Sequence, residues 1–551
     1  MTRWVGTTRG LASALGVLFL ACSARSAAQT WHFTDVTAAA GVMYQPGYDP
    51  PLGSPPEVMG GGVAAGDYDG DGRPDLYVTR GSIGRNLLFH NRGNGTFEEV
   101  GAAAGLDLSS GSGPTFADID GDGRIDLVIG GIDGANVAFY RNSGGGHFTR
   151  VTTPIGIDLG GADVYSTALG DYDHDGDLDL ATTHWKSFHN VRLWRNDGNF
   201  HFTEVTTAAG LTTPVQSNSF TPNFADVNND GWPDLLVTGD FGTTQYYLNN
   251  RNGTFTRATN AVITDENGMG AAIGDFDNDG DLDWFVSSIW SATGVSAGGW
   301  GITGNRLYRN RGDGTFDDVT EIAGVRHGYW GWGSVFADLN NDGMLDIFHV
   351  NGFPSESAVE FHEDPARLFV SNGDGTFTQR AEELGVADTG QGRGVTCFDY
   401  DGDGDLDLFL TNMTAPGRLY RNDLPPGTKF LSVRLTGNAP NTQAIGARIF
   451  VTANGVTQMR ELRAASNFVS QDPVGAWFGL GGASTAPLVR VVFPDGTEQR
   501  LENVAANQTV VVGEGRPAQV DVPTLGGLGL ALLGVLIAAS AIFLIGRGRI
   551  A

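Results

Sequence analysis

The stretch Asp67-Tyr68-Asp69-Gly70-Asp71-Gly72-Arg73-Pro74-Asp75 decides the fold, because the chain repeats it. It returns as Asp118-Ile119-Asp120-Gly121-Asp122-Gly123-Arg124-Ile125-Asp126 and as Asp171-Tyr172-Asp173-His174-Asp175-Gly176-Asp177-Leu178-Asp179. The fourth and fifth copies are Asp226-Val227-Asn228-Asn229-Asp230-Gly231-Trp232-Pro233-Asp234 and Asp275-Phe276-Asp277-Asn278-Asp279-Gly280-Asp281-Leu282-Asp283. The last two are Asp338-Leu339-Asn340-Asn341-Asp342-Gly343-Met344-Leu345-Asp346 and Asp399-Tyr400-Asp401-Gly402-Asp403-Gly404-Asp405-Leu406-Asp407. Their first positions are 51, 53, 55, 49, 63 and 61 residues apart.

A second block comes after each loop: Phe89-His90-Asn91 before Gly95-Thr96-Phe97, Tyr140-Arg141-Asn142 before Phe148, and Trp194-Arg195-Asn196 before Phe202. Later copies are Tyr308-Arg309-Asn310 with Gly314-Thr315-Phe316, and Phe369 with Gly375-Thr376-Phe377. Each unit therefore reads as four short strands with an acidic loop after the first, which is how a propeller blade is built. The seventh unit reaches Tyr420-Arg421-Asn422 but lacks a final strand, while an orphan strand of that type, His32 to Thr37, stands near the N-terminus. The expectation is an all-β chain whose residues 31–428 form a seven-bladed β-propeller, closed by pairing that N-terminal strand into the last blade.

Positions 1, 3, 5 and 9 of every loop are Asp, or Asn at position 3 in two loops. Calcium takes six to eight oxygens, from carboxylates and backbone carbonyls together. Position 7 varies among Arg73, Arg124, Asp177, Trp232, Asp281, Met344 and Asp405, as expected where only a carbonyl is used. Glycine at position 6 permits the positive-φ turn that wraps the donors around one point. Without a cation, two such carboxylates repel by about 4 kcal/mol at an effective dielectric of 20. An EF-hand is excluded, because it needs a Glu at position 12 and flanking helices, whereas Val78 stands there in the first loop. The reading is up to seven structural Ca²⁺ ions.

The loops resemble those of the FG-GAP/VCBS repeats, the family that includes the integrin α-subunit propeller. The resemblance spans roughly residues 31–430 and implies structural rather than catalytic calcium. Beyond it, residues 429–516 form a non-repeating β-rich stretch containing Ala444-Ile445-Gly446-Ala447-Arg448, Ser470-Gln471-Asp472, Phe478-Gly479-Leu480-Gly481 and Phe493-Pro494-Asp495-Gly496. This stretch resembles the ASPIC/UnbV domain, found after such propellers in cartilage-acidic-protein-like sequences. The usual tryptophan is Phe493 here, and the resemblance implies no activity.

Composition agrees with many short strands and tight turns: 82 Gly, 31 Phe and 11 Trp in 551 residues. A net charge of −29 excludes nucleic acid as a partner. The loops alone use 26 aspartates, close to that whole excess, so bound cations would neutralise much of it. Only Cys22 and Cys397 are present, so no disulfide framework exists.

The ends read as addresses. Arg3 and Arg9, an apolar run from Leu11 to Ala21 and the small residues Ser26-Ala27-Ala28 form a secretory signal over residues 1–28. Leu525 to Gly546 is apolar and uncharged, with Arg547 and Arg549 after it, which reads as a transmembrane helix with a cytoplasmic stop. Val522-Pro523-Thr524-Leu525 with that run resembles the IPTL-type C-terminal sorting signals of Gram-negative bacteria, in which a processing system recognises the tail. Residues 521–549 are thus a membrane and sorting segment, and the chain is exported to the cell surface or secreted after processing.

Ligand-binding candidates are His184, Trp185, Lys186, His189 and Trp194, between strands of the third repeat, and His327, Tyr329, Trp330 and Trp332. Such groups suit a glycan or a protein on a propeller rim, though packing between blades is the commoner use of these residues. Arg311-Gly312-Asp313 falls in the same turn as Arg92-Gly93-Asn94, so turn geometry accounts for it. No Ser-His-Asp, Walker, HExxH or Cys/His zinc signature occurs. The sequence predicts a calcium-stabilised binding or adhesion protein and no enzyme. A polysaccharide lyase or dehydratase using His184 and His189 is the alternative.

Overall fold

A computed structural model describes residues 30–47, 58–81, 84–152, 155–189, 191–291, 301–354, 356–465, 467–516 and 519–521. The secretory signal and the apolar tail lie outside these residues. Among the described residues, no helix is long and apolar enough to cross a membrane.

The chain is all-β. The first repeat forms an antiparallel sheet of Gly62–Gly66, Asp75–Thr79, Leu87–Asn91 and Phe97–Glu99. Each later repeat builds the same meander, for example Ser112–Ala117, Asp126–Gly130, Ala138–Asn142 and Phe148–Arg150. The first two strands of a repeat are buried on both faces, so they read as short continuous apolar runs rather than alternating ones. The last strand buries its phenylalanine (Phe97, Phe148, Phe202) and exposes the next residue along.

The orphan N-terminal strand completes the seventh sheet. His32–Asp35 pairs antiparallel with Arg418–Asp423, in register from His32 with Asp423 to Asp35 with Tyr420. The third repeat differs from the sequence reading. Trp185–His189 leaves its own sheet and pairs irregularly with Thr212–Asn218 at the edge of the fourth.

Neighbouring sheets are joined at their inner strands. Ser112 Oγ donates to Tyr165 O (2.7 Å), Thr183 Oγ1 to Phe220 O (2.6 Å), Thr221 Oγ1 to Met269 O (2.6 Å) and Ser287 Oγ to Trp332 O (2.5 Å). Arg393 of the seventh repeat donates Nη1 to Gly352 O of the sixth (3.0 Å) and Nε to Val58 O before the first (2.8 Å).

After Asp423 the chain forms two further four-stranded sheets. One contains Lys429–Thr436 between Ala476–Gly481 and Thr509–Gly513; the other contains Arg448–Ala453 between Val456–Glu461 and Thr485–Val492. Leu431, Ile449, Phe478 and Val491 lie in the core between them. This part does not stand apart from the repeats. Ser470–Gln471 adds a parallel strand to Gly62–Gly66. Phe468 stands edge-on to Phe220 (centroids 5.5 Å apart) and 5.2 Å from Trp332, both of inner strands. Gly62, at φ 132°, admits this segment, because an added Cβ would meet Val469 O at 1.8 Å.

Candidate metal centres

All seven loops share one hydrogen-bonding plan. Oδ2 of the first aspartate accepts the N–H of the position-6 glycine, at 2.7–3.2 Å. Oδ1 of the fifth-position aspartate accepts the N–H of position 7, at 2.8–3.1 Å. The ninth-position aspartate is fully buried in each loop. Its Oδ2 accepts the N–H of position 2, at 3.0–3.3 Å. The position-6 glycines have φ between 85° and 97°, as the sequence required.

Position 4 is a further constraint that the sequence reading missed. His174, Asn229, Asn278 and Asn341 there have φ of 55–60°, and Gly70, Gly121 and Gly402 are also left-handed. Only glycine and residues of the Asn type take that conformation readily, which explains the G, G, H, N, N, N, G sequence at this position.

The carboxylates converge. Oxygens of Asp67, Asp69 and Asp71, of Asp118, Asp120 and Asp122, of Asp171, Asp173 and Asp179, and of Asp275, Asp277 and Asp279 lie within 4.8 Å of one another. Burial raises the carboxyl groups of Asp67, Asp118, Asp120, Asp173, Asp275 and Asp277, with repulsion between neighbouring aspartates adding to the rise and backbone N–H bonds countering it. Asp171 is pushed up to about 7, Asp126 and Asp234 to about 8 and Asp75 to about 9. Among the described residues, Oδ1 of Asp120, Asp173, Asp277 and Asp401 is buried with no hydrogen-bond partner. Buried polar atoms are rarely left so. An all-oxygen set with orphaned anionic atoms fits a hard divalent cation.

Two position-7 side chains do more than the sequence implied. Arg73 and Arg124 reach back to Oδ2 of Asp71 and Asp122, and each donates Nε to the carbonyl of Asn91 or Asn142. The asparagines of the third strands were another unread signal. Asn142 Nδ2 donates to Tyr68 O (2.8 Å) of the preceding loop, and the pattern runs on through Asn196 to Ile119, Asn249 to Tyr172 and Asn310 to Val227. Asn422 bonds Leu339 O, and Asn91 bonds Tyr400 O of the seventh loop, joining the last repeat to the first. The signal lay in the recurring Asn of the third strands, with Ser371 as the exception.

The C-terminal sheets pack over the first-position aspartates. Thr442 Oγ1 donates to Asp118 Oδ2, Gly479 N to Asp338 Oδ2 (3.0 Å), and Arg448 Nη2 lies 3.3 Å from Asp226 Oδ2. Arg434 Nη2 donates to Gly72 O (2.8 Å), and Trp477 Nε1 to Asn341 Oδ1 (2.9 Å). A cavity of about 150 Å³ remains between the two parts, lined by Asp338, Cys397, Arg460, Arg463 and Asp472 among others. Cys397 is a buried free thiol, and burial pushes it up.

The other sequence candidates separate. His184 is fully buried, with Nε2 3.0 Å from Thr182 Oγ1 and Nδ1 2.8 Å from Asp163 O, and Trp194 and Trp332 are buried too. Nothing is described of the Lys186 and His189 side chains. His327 is exposed and stacks on Trp290 (4.2 Å), while Arg367 lies 4.1 Å over Tyr329. Arg311 pairs with Asp317, and Asp313 Oδ1 accepts both Thr315 donors, as Asn94 does from Thr96. The Arg-Gly-Asp side chains are thus engaged in their own turn.

A model of the FG-GAP-like repeat matches residues 67–129, 118–182, 184–237, 226–286, 295–349 and 358–410, and a model described as ASPIC and UnbV matches 437–519. Cartilage acidic protein 1 of Mus musculus is 26% identical over 518 residues, covering 84% of this chain and 74% of that protein. The Homo sapiens protein is 26% identical, covering 81% of this chain and 61% of its own length. A solved structure of an Agrocybe aegerita lectin, titled for recognition of non-reducing terminal N-acetylglucosamine, covers 63% of this chain and 88% of its own. It has 20% identity and a TM-score of 0.40. The chain belongs to the FG-GAP-like repeat family and carries an ASPIC and UnbV domain after its repeats.

Proposed function

We propose that the seven repeats are the blades of one closed propeller, that each loop holds a structural Ca²⁺, and that the protein is an exported, non-enzymatic binding protein. The buried, partnerless Oδ1 atoms of Asp120, Asp173, Asp277 and Asp401 carry the calcium reading. Bound calcium supplies the positive charge that lets these carboxylates stay ionised inside the fold. Positions 1, 3, 5 and 9 offer carboxylate or amide oxygens, and position 7 offers its carbonyl.

The loop rim is covered by the C-terminal domain, and Phe468 and Val469 are buried among the inner strands. This leaves the opposite rim for a ligand. There, Trp290 comes after a second strand and Tyr329 precedes a first one, so His327, Trp290 and Tyr329 stand at the ends away from the loops. Aromatic faces with an adjacent arginine suit a glycan or a protein surface. His184 has its ring nitrogens engaged and lies buried, which weighs against a lyase using it as base.

The test is a glycan and surface-polysaccharide array probed with the calcium-loaded chain and with metal-free chain, beside a count of bound calcium. A calcium-dependent hit lost in Trp290→Ala supports the reading. A chain that binds no calcium at micromolar to millimolar concentrations sinks it.

A further inference from the structure

The loops differ at one place outside the nine-residue repeat. In every repeat, Oδ1 of the ninth-position aspartate accepts the backbone N–H of the third-strand Asn, or of Ser371 in the sixth, at 2.7–2.9 Å. The residue before it is therefore set beside the loop at an equivalent place in all seven. Those residues are His90, Arg141, Arg195, Leu248, Arg309, Val370 and Arg421. Position 3 of the same loops reads Asp69, Asp120, Asp173, Asn228, Asp277, Asn340 and Asp401. Every loop with a third aspartate has a basic residue there, and the two loops with asparagine have Leu248 and Val370.

Two side-chain contacts carry the pattern directly, while Arg195, Arg309 and Arg421 pair with Asp197, Asp317 and Asp423. Arg141 Nε lies 2.6 Å from Asp120 Oδ2, and His90 Nδ1 lies 3.4 Å from Asp69 Oδ2. Burial raises the carboxyls of Asp173, Asp277 and Asp401, and the charges of Arg195, Arg309 and Arg421 act against that rise. Arg251 also pairs in the fourth loop, but with the fifth-position Asp230 and from the turn beyond the strand. Counting only positions 1, 3, 5 and 9 and the facing residue, the four arginine loops and the two asparagine loops each carry three net negative charges, and position 7 adds Arg124 to the second loop and Asp177, Asp281 and Asp405 to the third, fifth and seventh.

Donor charge is a main determinant of calcium affinity. A fourth carboxylate strengthens binding and adds repulsion to the empty loop, and an arginine beside it offsets both. We propose that Arg141, Arg195, Arg309 and Arg421 are affinity-setting residues for the cation of their loops. Each offsets the charge of its position-3 aspartate, so that its loop binds calcium more weakly than four aspartates alone would. This rests on the calcium reading above.

The test uses the full chain and native mass spectrometry, which counts bound calcium at a series of buffered free concentrations. With Asp120→Asn, one site fills at about tenfold higher calcium, and with Arg141→Leu one site fills at about tenfold lower calcium. The double variant returns within about threefold of the parent. The reverse exchange in the fourth loop, Asn228→Asp with Leu248→Arg, serves where the first set does not fold, and its double variant also matches the parent. Arg141→Leu or Leu248→Arg shifting its site in the opposite direction overturns the proposal, as does a double variant that stays with Asp120→Asn. A parent chain that binds no calcium overturns the calcium reading itself and is read before any variant.

Discussion

Arg448 Nη2, from the C-terminal domain, lies 3.3 Å from Oδ2 of Asp226, the first residue of the fourth acidic loop. The same guanidinium donates Nε to Glu461 (3.0 Å), whose side chain is 3% exposed, so one arginine neutralises acids on both sides of the interface. Burial raises the Glu461 carboxyl, and Arg448 acts against it.

Arg448→Ala removes the cation bonded to the buried Glu461, and breaking such a pair costs about 3–5 kcal/mol. Denaturant unfolding at saturating calcium measures this loss. A change below about 1 kcal/mol contradicts the bridging role.

The asparagine latches differ in value from the serine exception. Asn310 Nδ2 donates to two buried carbonyls, Val227 O (2.7 Å) and Leu282 O (3.0 Å). Asn310→Ala is expected to cost about 1–3 kcal/mol by leaving them unsatisfied. Ser371→Ala costs less, because its hydroxyl only accepts from Gly373 N at 3.3 Å. Equal losses in paired melts would refute a latch.

Removing calcium has a pH signature. In the metal-free chain, burial first and neighbouring aspartates next push Asp75 up to about 9 and Asp126 to about 8, against about 3.9 unfolded. A raised acid adds stability that is complete below pH ~4 and lost as pH rises toward those folded values. Calcium reverses this by favouring the ionised form. The gap in Tm between calcium-loaded and metal-free protein is therefore wider at pH 8 than at pH 5. An unchanged gap would show that these acids do not titrate in the metal-free fold.

His349 acts in the other direction and without metal. Burial first, and the Arg367 charge next, push it down to about 3, and its Nε2 lies 3.2 Å from Asn305 Nδ2. Its neutral form is favoured on folding, so its contribution is complete above the unfolded value near 6.5 and is lost as pH falls from there toward 3. His349→Gln is expected to flatten stability between pH 6.5 and 4 while lowering it at pH 8. An acid limb as steep as the parent's would assign that limb to other groups.

The repeat, the acidic loop and its glycine, the four-strand unit and the return of His32–Asp35 to the last sheet were all legible from the residues. Each rests on local backbone geometry or on a pattern compared with itself six times over. The same comparison contained the third-strand asparagines and the pairing of position 3 with His90 or an arginine. Their meaning appeared only once strand register set those residues beside a loop. The placement of Trp185–His189 on the next sheet, the covering of the loop rim and the insertion of Phe468 among the inner strands were not legible. Those contacts join residues far apart in the chain, where no period or turn chemistry constrains the partner. Local sequence determined what each four-stranded repeat is, and only the packing of the whole chain decided which ends of the repeats the C-terminal domain covers, because burying its apolar segment required a surface that no single repeat possesses.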